Sequence, residues 1–347
     1  MAQIDVLPRA RGAVAQRLAS MPAGARGDCL IETGNLASGA PLGIPVVLVK
    51  GARAGPCLWI NGQVHGDEIN GLVAALDFVG GLVPSSMAGS VVLTTTANPY
   101  AFDARRKRTP HDDLDLDQCF PGHAQGLASE RLAYAMTEAM AGCADLLVSF
   151  HTMGSAFDCR PFAVYKQSSA PGAPDEAGLL VLMAQFAPSC ACWMPIELRE
   201  GELPGHLAGA IDYWMLEAGK PAFMIELGAG GRVDAEHVKQ GVRGLTGVAR
   251  KLGIVRGAAE ADSPPLRVTR YRHATCARGG LFRRAAEPDT MLAAGQAYGH
   301  ITDLYGKVVE TLSFEQPALL VGVRRDPVVH SGDRVAFAAL QWDRVAG

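Results

Sequence analysis

The stretch Asn61-Gly-Gln-Val-His65-Gly-Asp-Glu68-Ile-Asn70 decides how this chain is read. It follows Pro56-Cys-Leu-Trp-Ile60, a short apolar run of the kind that forms a central strand. It precedes Asn70-Gly-Leu-Val-Ala-Ala-Leu-Asp-Phe-Val79, whose apolar residues recur on a helical period. His65 is therefore expected in a strand-to-helix loop and Glu68 in the first helical turn, at the carboxyl end of a strand, where ligands gather in α/β enzymes. Imidazole and carboxylate are both zinc ligands, and a catalytic zinc keeps three protein ligands and one open position. Two of the three could sit here. Taken alone, the pair also admits a polar helix start, in which Asp67 and Glu68 complement the helix dipole.

Length and charge narrow the field. A chain of 347 residues predicts two domains, or one large domain with an appendage. A net charge of −3 and a pI near 6.3, with Lys and Arg interspersed, argue against a nucleic-acid or anionic-membrane surface, which needs a basic excess. The longest basic run, Arg105-Arg-Lys-Arg108, is a small patch whose position beside other motifs makes it a candidate to face substrate. No apolar run approaches the roughly 18 residues of a membrane helix, and the amino terminus, with Asp5, Arg9, Arg11 and Arg17, does not read as a signal peptide. A soluble, cytoplasmic protein is expected. The eight cysteines lack Cys-x-x-Cys spacing and are read as small buried hydrophobes without a catalytic role.

From residue 29 to about 255, strand-like and helix-like stretches alternate. Strands are expected at 30–33, 44–49, 57–60, 91–96, 146–150 and 222–226, and helices at 70–79, 127–141, 176–187, 207–218 and 235–252. Such alternation predicts an α/β fold with a mixed, largely parallel sheet flanked by helices. Residues 256–265, small, polar and Pro-containing, read as a linker. Beyond it, helical periods vanish and short strands separated by Gly, Pro or Asp suggest a β sandwich or barrel-like unit. The expected domains are 1–258, α/β, and 265–347, β-rich.

His151 closes the strand 146–150, so it emerges where His65 does and is the best third ligand; the other histidines are expected to pack or to face solvent. Glu226 closes the strand 222–226 and is followed by Leu-Gly-Ala-Gly-Gly231, a loop whose backbone can approach a bound molecule. A carboxylate there could take a proton from water.

Together the motifs resemble the succinylglutamate desuccinylase and aspartoacylase family of zinc hydrolases, a branch of the zinc carboxypeptidase-like fold. The resemblance rests on His65-Gly-Asp-Glu68, on Asn98-Pro99 with the Arg-rich loop after it, on Asp115 to Gly122 ending in Phe120-Pro-Gly, on His151-Thr152 and on Glu226 to Gly231. It implies one zinc per chain on His65, Glu68 and His151, with Glu226 as general base and acid. It also implies an oxyanion arginine ahead of the Asp115 motif, carried onto Arg108 with Arg106 second. Asn98, Asp117 and Gln118 would contact substrate. The chain departs from the family at one place: where the family holds a substrate carboxylate with Asn-Arg, this chain has Asp117-Gln118. An anion replaces a cation, and acidic N-acyl amino acids are expected to be poor substrates.

The expected function is zinc-dependent deacylation of a small N-acylated amine or amino acid. The rivals are a metallocarboxypeptidase acting on a short peptide and a non-catalytic binding protein on the same scaffold. A homo-oligomer is compatible with the sequence; a nucleic-acid or membrane partner is not expected.

Overall fold

The computed structural model describes residues 4–197, 206–259 and 264–344. Its first ten strands are β1 (Asp5–Leu7), β2 (Arg26–Asn35), β3 (Pro41–Lys50), β4 (Arg53–Asn61), β5 (Ala88–Thr94), β6 (Leu146–Met153), β7 (Phe157–Cys159), β8 (Phe162–Tyr165), β9 (Cys190–Trp193) and β10 (Ala222–Ala229). The helices are α1 (Ala13–Ser20), α2 (Asn70–Gly81), α3 (Pro99–Ala104), α4 (Ala128–Met140), α5 (Glu176–Ala184), α6 (Ile211–Glu217) and α7 (Ala235–Lys251). The C-terminal region adds β11 (Leu266–Thr275), β12 (Gly280–Arg284), β13 (Thr290–Leu292) and β14 (Ala297–Thr302), then β15 (Val308–Ser313), β16 (Ala318–Arg324), β17 (Val328–Val329) and β18 (Arg334–Arg344).

The central strands β4, β6 and β10 lie side by side in parallel. Covered on both faces, they carry continuous apolar runs rather than alternating ones: β6 is buried from Leu146 to Thr152. Helix α2 lies against β6 so closely that a Cβ on Gly71 would sit 2.1 Å from Phe150 Cβ, so only glycine permits that approach. Helix α7 crosses α2, and its first turn is capped by the Asp234 carboxylate, which accepts from the amides of Glu236 and His237.

The expected mixed α/β sheet is present, and it runs further than expected. One fourteen-stranded sheet has the order β1-β2-β3-β5-β4-β6-β10-β8-β9-β11-β18-β16-β13, with β7 on β16. The C-terminal region is thus hydrogen-bonded to the α/β layer through the parallel pair β9–β11, and Phe162, Val164, Tyr271, Leu319 and Phe337 share one apolar cluster across the junction. A second sheet, β15-β14-β12-β17, closes over that region's own core of Phe282, Tyr298, Ile301 and Leu320. Residues 260–263 of the expected linker lie outside the described residues. All eight cysteines are free thiols. Among the described residues, no helix is long and apolar enough to cross a membrane.

Candidate metal centre and catalytic cleft

Strand β4 ends at Asn61, and the loop 62–69 crosses the carboxyl edge of the sheet before α2 begins at Asn70. Glu68 therefore lies just ahead of the helix, not in its first turn. The loop is held close to the segment after α3: Gly66 N donates to Arg106 O at 2.8 Å, and a Cβ on Gly66 would sit 1.8 Å from Ala101 O. No residue with a side chain fits there. This approach fixes His65 and Glu68 over β6, whose carboxyl end carries His151.

His65, Glu68 and His151, each 4% exposed, come together with donor atoms all within 4.8 Å of one another. His65 Nδ1 is 2.9 Å from Glu68 Oε1, and His151 Nδ1 is 3.4 Å from Glu68 Oε2, which also accepts from Thr152 N at 2.9 Å. The two rings meet edge to face, 5.1 Å apart. Each far ring nitrogen has its own partner. His65 Nε2 lies 2.9 Å from Asp115 Oδ1, and His151 Nε2 lies 3.3 Å from Ser149 Oγ, itself an acceptor for Asn61 Nδ2. Imidazoles converging through one nitrogen and braced through the other form the outer support typical of metal sites, so the donor set fits a divalent cation.

The electrostatics agree. Burial works against protonating His65, yet the Glu68 charge, with hydrogen bonds to Asp115 and Glu68, lifts the imidazole to about 10. Burial is likewise outweighed at Glu68 and Asp115, which are held well below the usual carboxylate range by the neighbouring imidazoles and, for Asp115, by Lys107. The spot favours positive charge.

Glu226 faces this cluster from β10, paired in register with His151 on β6. Burial, then the Glu68 charge, pushes its carboxyl up to about 7. Its Oε2 is buried without a hydrogen-bond partner, as are Asp67 Oδ1 and Thr152 Oγ1. A carboxylate poised near neutrality with a free oxygen can exchange a proton.

These groups line a cleft of two overlapping lobes, each about 440 Å³. The first lobe runs over Thr152 to Phe157 toward Phe337; the second runs toward Asp117, Gln118, Lys166 and Met224. Of the basic run, Lys107 lines both lobes, Arg108 the second, and Arg106 neither. Lys107 Nζ is 3.4 Å from Asp115 Oδ2; burial would lower its ammonium, but the charges of Asp115, Glu68 and Glu226 raise it. Arg108 Nη1 donates to Asp113 O at 2.8 Å. Asn98 lies outside the cleft, fully buried: it caps α3 by accepting from Ala101 N and donates to Thr109 Oγ1.

Asp117 and Gln118 do line the cleft. Burial raises the Asp117 carboxyl, and Oδ1 accepts one long hydrogen bond, 3.4 Å, from Ile211 N. The nearby Lys166 is taken up by Asp212, at 2.8 and 2.9 Å. From sequence, Lys107 enters only as a member of the basic run expected to face substrate, with the oxyanion role carried onto its arginine neighbours; His273, Arg324 and Arg334 are not identified from sequence, because they lie far from every motif.

Residues 54–252 match the family described as the succinylglutamate desuccinylase/aspartoacylase catalytic domain. The chain is 25% identical over 302 residues, 85% of each protein, to an N-alpha-acetyl-L-2,4-diaminobutyric acid deacetylase from Halomonas elongata. The product-bound ectoine utilization protein EutE (DoeB) from Ruegeria pomeroyi superposes with a TM-score of 0.79 at 24% identity, covering 93% of this chain and 98% of that one. A succinylglutamate desuccinylase/aspartoacylase from Rhodobacter sphaeroides gives 0.77 at 24% identity, covering 91% and 97%. These two structural likenesses establish the fold.

Proposed function

The chain belongs to the succinylglutamate desuccinylase/aspartoacylase family, and on that premise we propose that it is a zinc-dependent hydrolase cleaving the linear amide of a small N-acylated amine or amino acid. The observation that carries this is a three-donor metal set facing an unpartnered carboxylate, Glu226, in one cleft. We assign one zinc per chain to His65, Glu68 and His151. Bound there, zinc supplies Lewis acidity, polarising a carbonyl and acidifying water. Asp115 and Ser149 keep the two imidazoles in the ligating tautomer. Glu226 Oε2 accepts a proton from the attacking water and returns it to the leaving nitrogen. A cation beside the cluster stabilises the charge that develops on the carbonyl oxygen. Lys107, which reaches both lobes, is placed for this, with Arg108 on the adjoining wall.

The relative's compound, N-alpha-acetyl-L-2,4-diaminobutyric acid, carries an amine on its side chain. An underpaired carboxylate such as Asp117 attracts such a group and repels an acidic one. We therefore propose that the substrate turns a neutral or cationic group toward Asp117, and that N-acetylaspartate and N-succinylglutamate are poor substrates. The test is hydrolysis, by the zinc-loaded protein, of matched N-acetyl amino acids with acidic, neutral and basic side chains. Basic or neutral members should be preferred at least about tenfold. Best turnover of acidic members would overturn the charge assignment. Amino-acid release from dipeptides, with no acyl cleavage, would replace the deacylase by a carboxypeptidase.

A further inference from the structure

Two arginines reach the cleft from the C-terminal region, and they are used differently. Arg324 is committed: Nε donates to Asp326 O at 3.0 Å, Nη1 to Arg334 O at 3.2 Å and Nη2 to Val328 O at 3.0 Å, with Asp333 at 3.5 Å. Arg334, at the start of β18, lines both lobes together with His65, Lys107, His151, Met194 and Glu226. Among the described residues its guanidinium has neither a hydrogen bond nor an ion pair; it lies 5.9 Å from the centre of the Phe157 ring. Burial and the Arg324 charge both lower its pKa, as expected of a cation without a counter-anion. A guanidinium offers five N–H donors in a rigid fork that matches a carboxylate. Here that fork faces the cleft, held against an aromatic ring by a strand that continues the central sheet.

Asp117 presents the converse case in the second lobe, a carboxylate with one long hydrogen bond. The cleft thus offers an unspent cation on its C-terminal wall, the metal donors between, and an underpaired anion beyond. We infer that Arg334 anchors a substrate carboxylate, so that the cleft takes an N-acyl amino acid with its carboxylate on Arg334 and its neutral or cationic side chain toward Asp117. The position of the amide rests on the deacylase reading; the carboxylate site does not.

The test uses the full-length, zinc-loaded protein and its Arg334→Gln and Arg334→Lys variants, each checked for zinc content and melting temperature. Hydrolysis is followed with an N-acetyl amino acid, its carboxamide, and an N-succinyl amine that carries the carboxylate on the acyl half. Binding of L-2,4-diaminobutyrate and of its carboxamide is measured by calorimetry, which needs no turnover. Charge-assisted hydrogen bonds of this kind are worth about 10- to 100-fold. Arg334→Gln should lower the preference for carboxylate over carboxamide by that factor, chiefly through KM, and should weaken diaminobutyrate binding alike, with Arg334→Lys in between. If the N-succinyl amine shows the loss instead, the carboxylate belongs to the acyl half and the inferred placement of the amino acid is overturned. If wild type hydrolyses none of the compounds yet binds diaminobutyrate through Arg334, the site stands and the deacylase reading fails. An unchanged preference, or equal losses for carboxylate and carboxamide, would overturn the inference.

Discussion

Replacing Asp115 by Asn probes the metal centre without touching a proposed ligand. Asp115 Oδ1 lies 2.9 Å from His65 Nε2 and also accepts from Asp117 N at 3.1 Å, while Oδ2 faces Lys107 Nζ at 3.4 Å. Asn is nearly isosteric and keeps an oxygen for the Asp117 amide. What it loses is the negative charge that raises the basicity of the His65 imidazole and offsets Lys107. Outer partners of this type are worth about 10- to 100-fold in metal affinity, or about 1.4–2.7 kcal/mol. The assay is competition for zinc against a chelator of known affinity on the full chain, with the melting temperature followed in parallel. The zinc dissociation constant should rise by that factor while the fold persists. A value within twofold of wild type would mean that His65 does not ligate with Asp115 bracing its far nitrogen.

Glu226→Gln should keep its zinc and lose about 10²- to 10⁴-fold in kcat; a loss under tenfold would move the base elsewhere, with Asp67 next in line. Lys107→Ala should lower kcat about 10²-fold, the scale of a lost oxyanion donor, whereas Arg106→Ala, outside the cleft, should stay within about threefold; the reverse order would restore Arg106 to the oxyanion role. His273 stacks on Phe337 at 4.6 Å, and burial, then the Arg334 charge, depresses it from 6.5 to about 3. Neutral in the fold but protonated in the unfolded chain below about 6.5, it contributes stability that is complete above that pH and is lost as pH falls toward 3. Between pH 6.5 and 5 the loss is about 2 kcal/mol. Other groups, Glu226 among them, also titrate in this window, so the check is the difference: on going from pH 7 to pH 5 by urea unfolding, wild type should lose about 2 kcal/mol more than His273→Phe, and equal changes in both would exclude His273 as the source.

The central sheet was legible because its strands are buried on both faces and carry long apolar runs bounded by Gly and Pro, and because α2 and α7 keep a helical period. Strands β7, β8 and β9 were not, being three or four residues long, too short for periodicity to separate from loop. Their absence hid the pairing of β9 with β11 that fuses the C-terminal region to the sheet. In the cleft, residues attached to strand ends, His65, His151 and Glu226, could be placed from sequence because topology brings strand ends together. Which member of Arg105 to Arg108 reaches the cluster depends on loop geometry: the arginines carried the motif, but Lys107 reaches both lobes. Asn98, also in a motif, caps α3 and bonds Thr109, so its side chain serves the loop beside the cleft rather than the cleft wall. Arg334 belongs to no local motif and enters the cleft through long-range sheet pairing.

The most direct test of the account is the zinc stoichiometry of wild type and His151→Ala after dialysis against a weak chelator. His151 sits on β6, away from the loop of His65 and Glu68, so its loss leaves two donors from one loop and an open site. We predict one zinc per chain in wild type and a sharp fall in His151→Ala, with both proteins folded. Full occupancy in His151→Ala would contradict the account, because the metal would then lie outside the three-residue cluster on which the proposed chemistry depends.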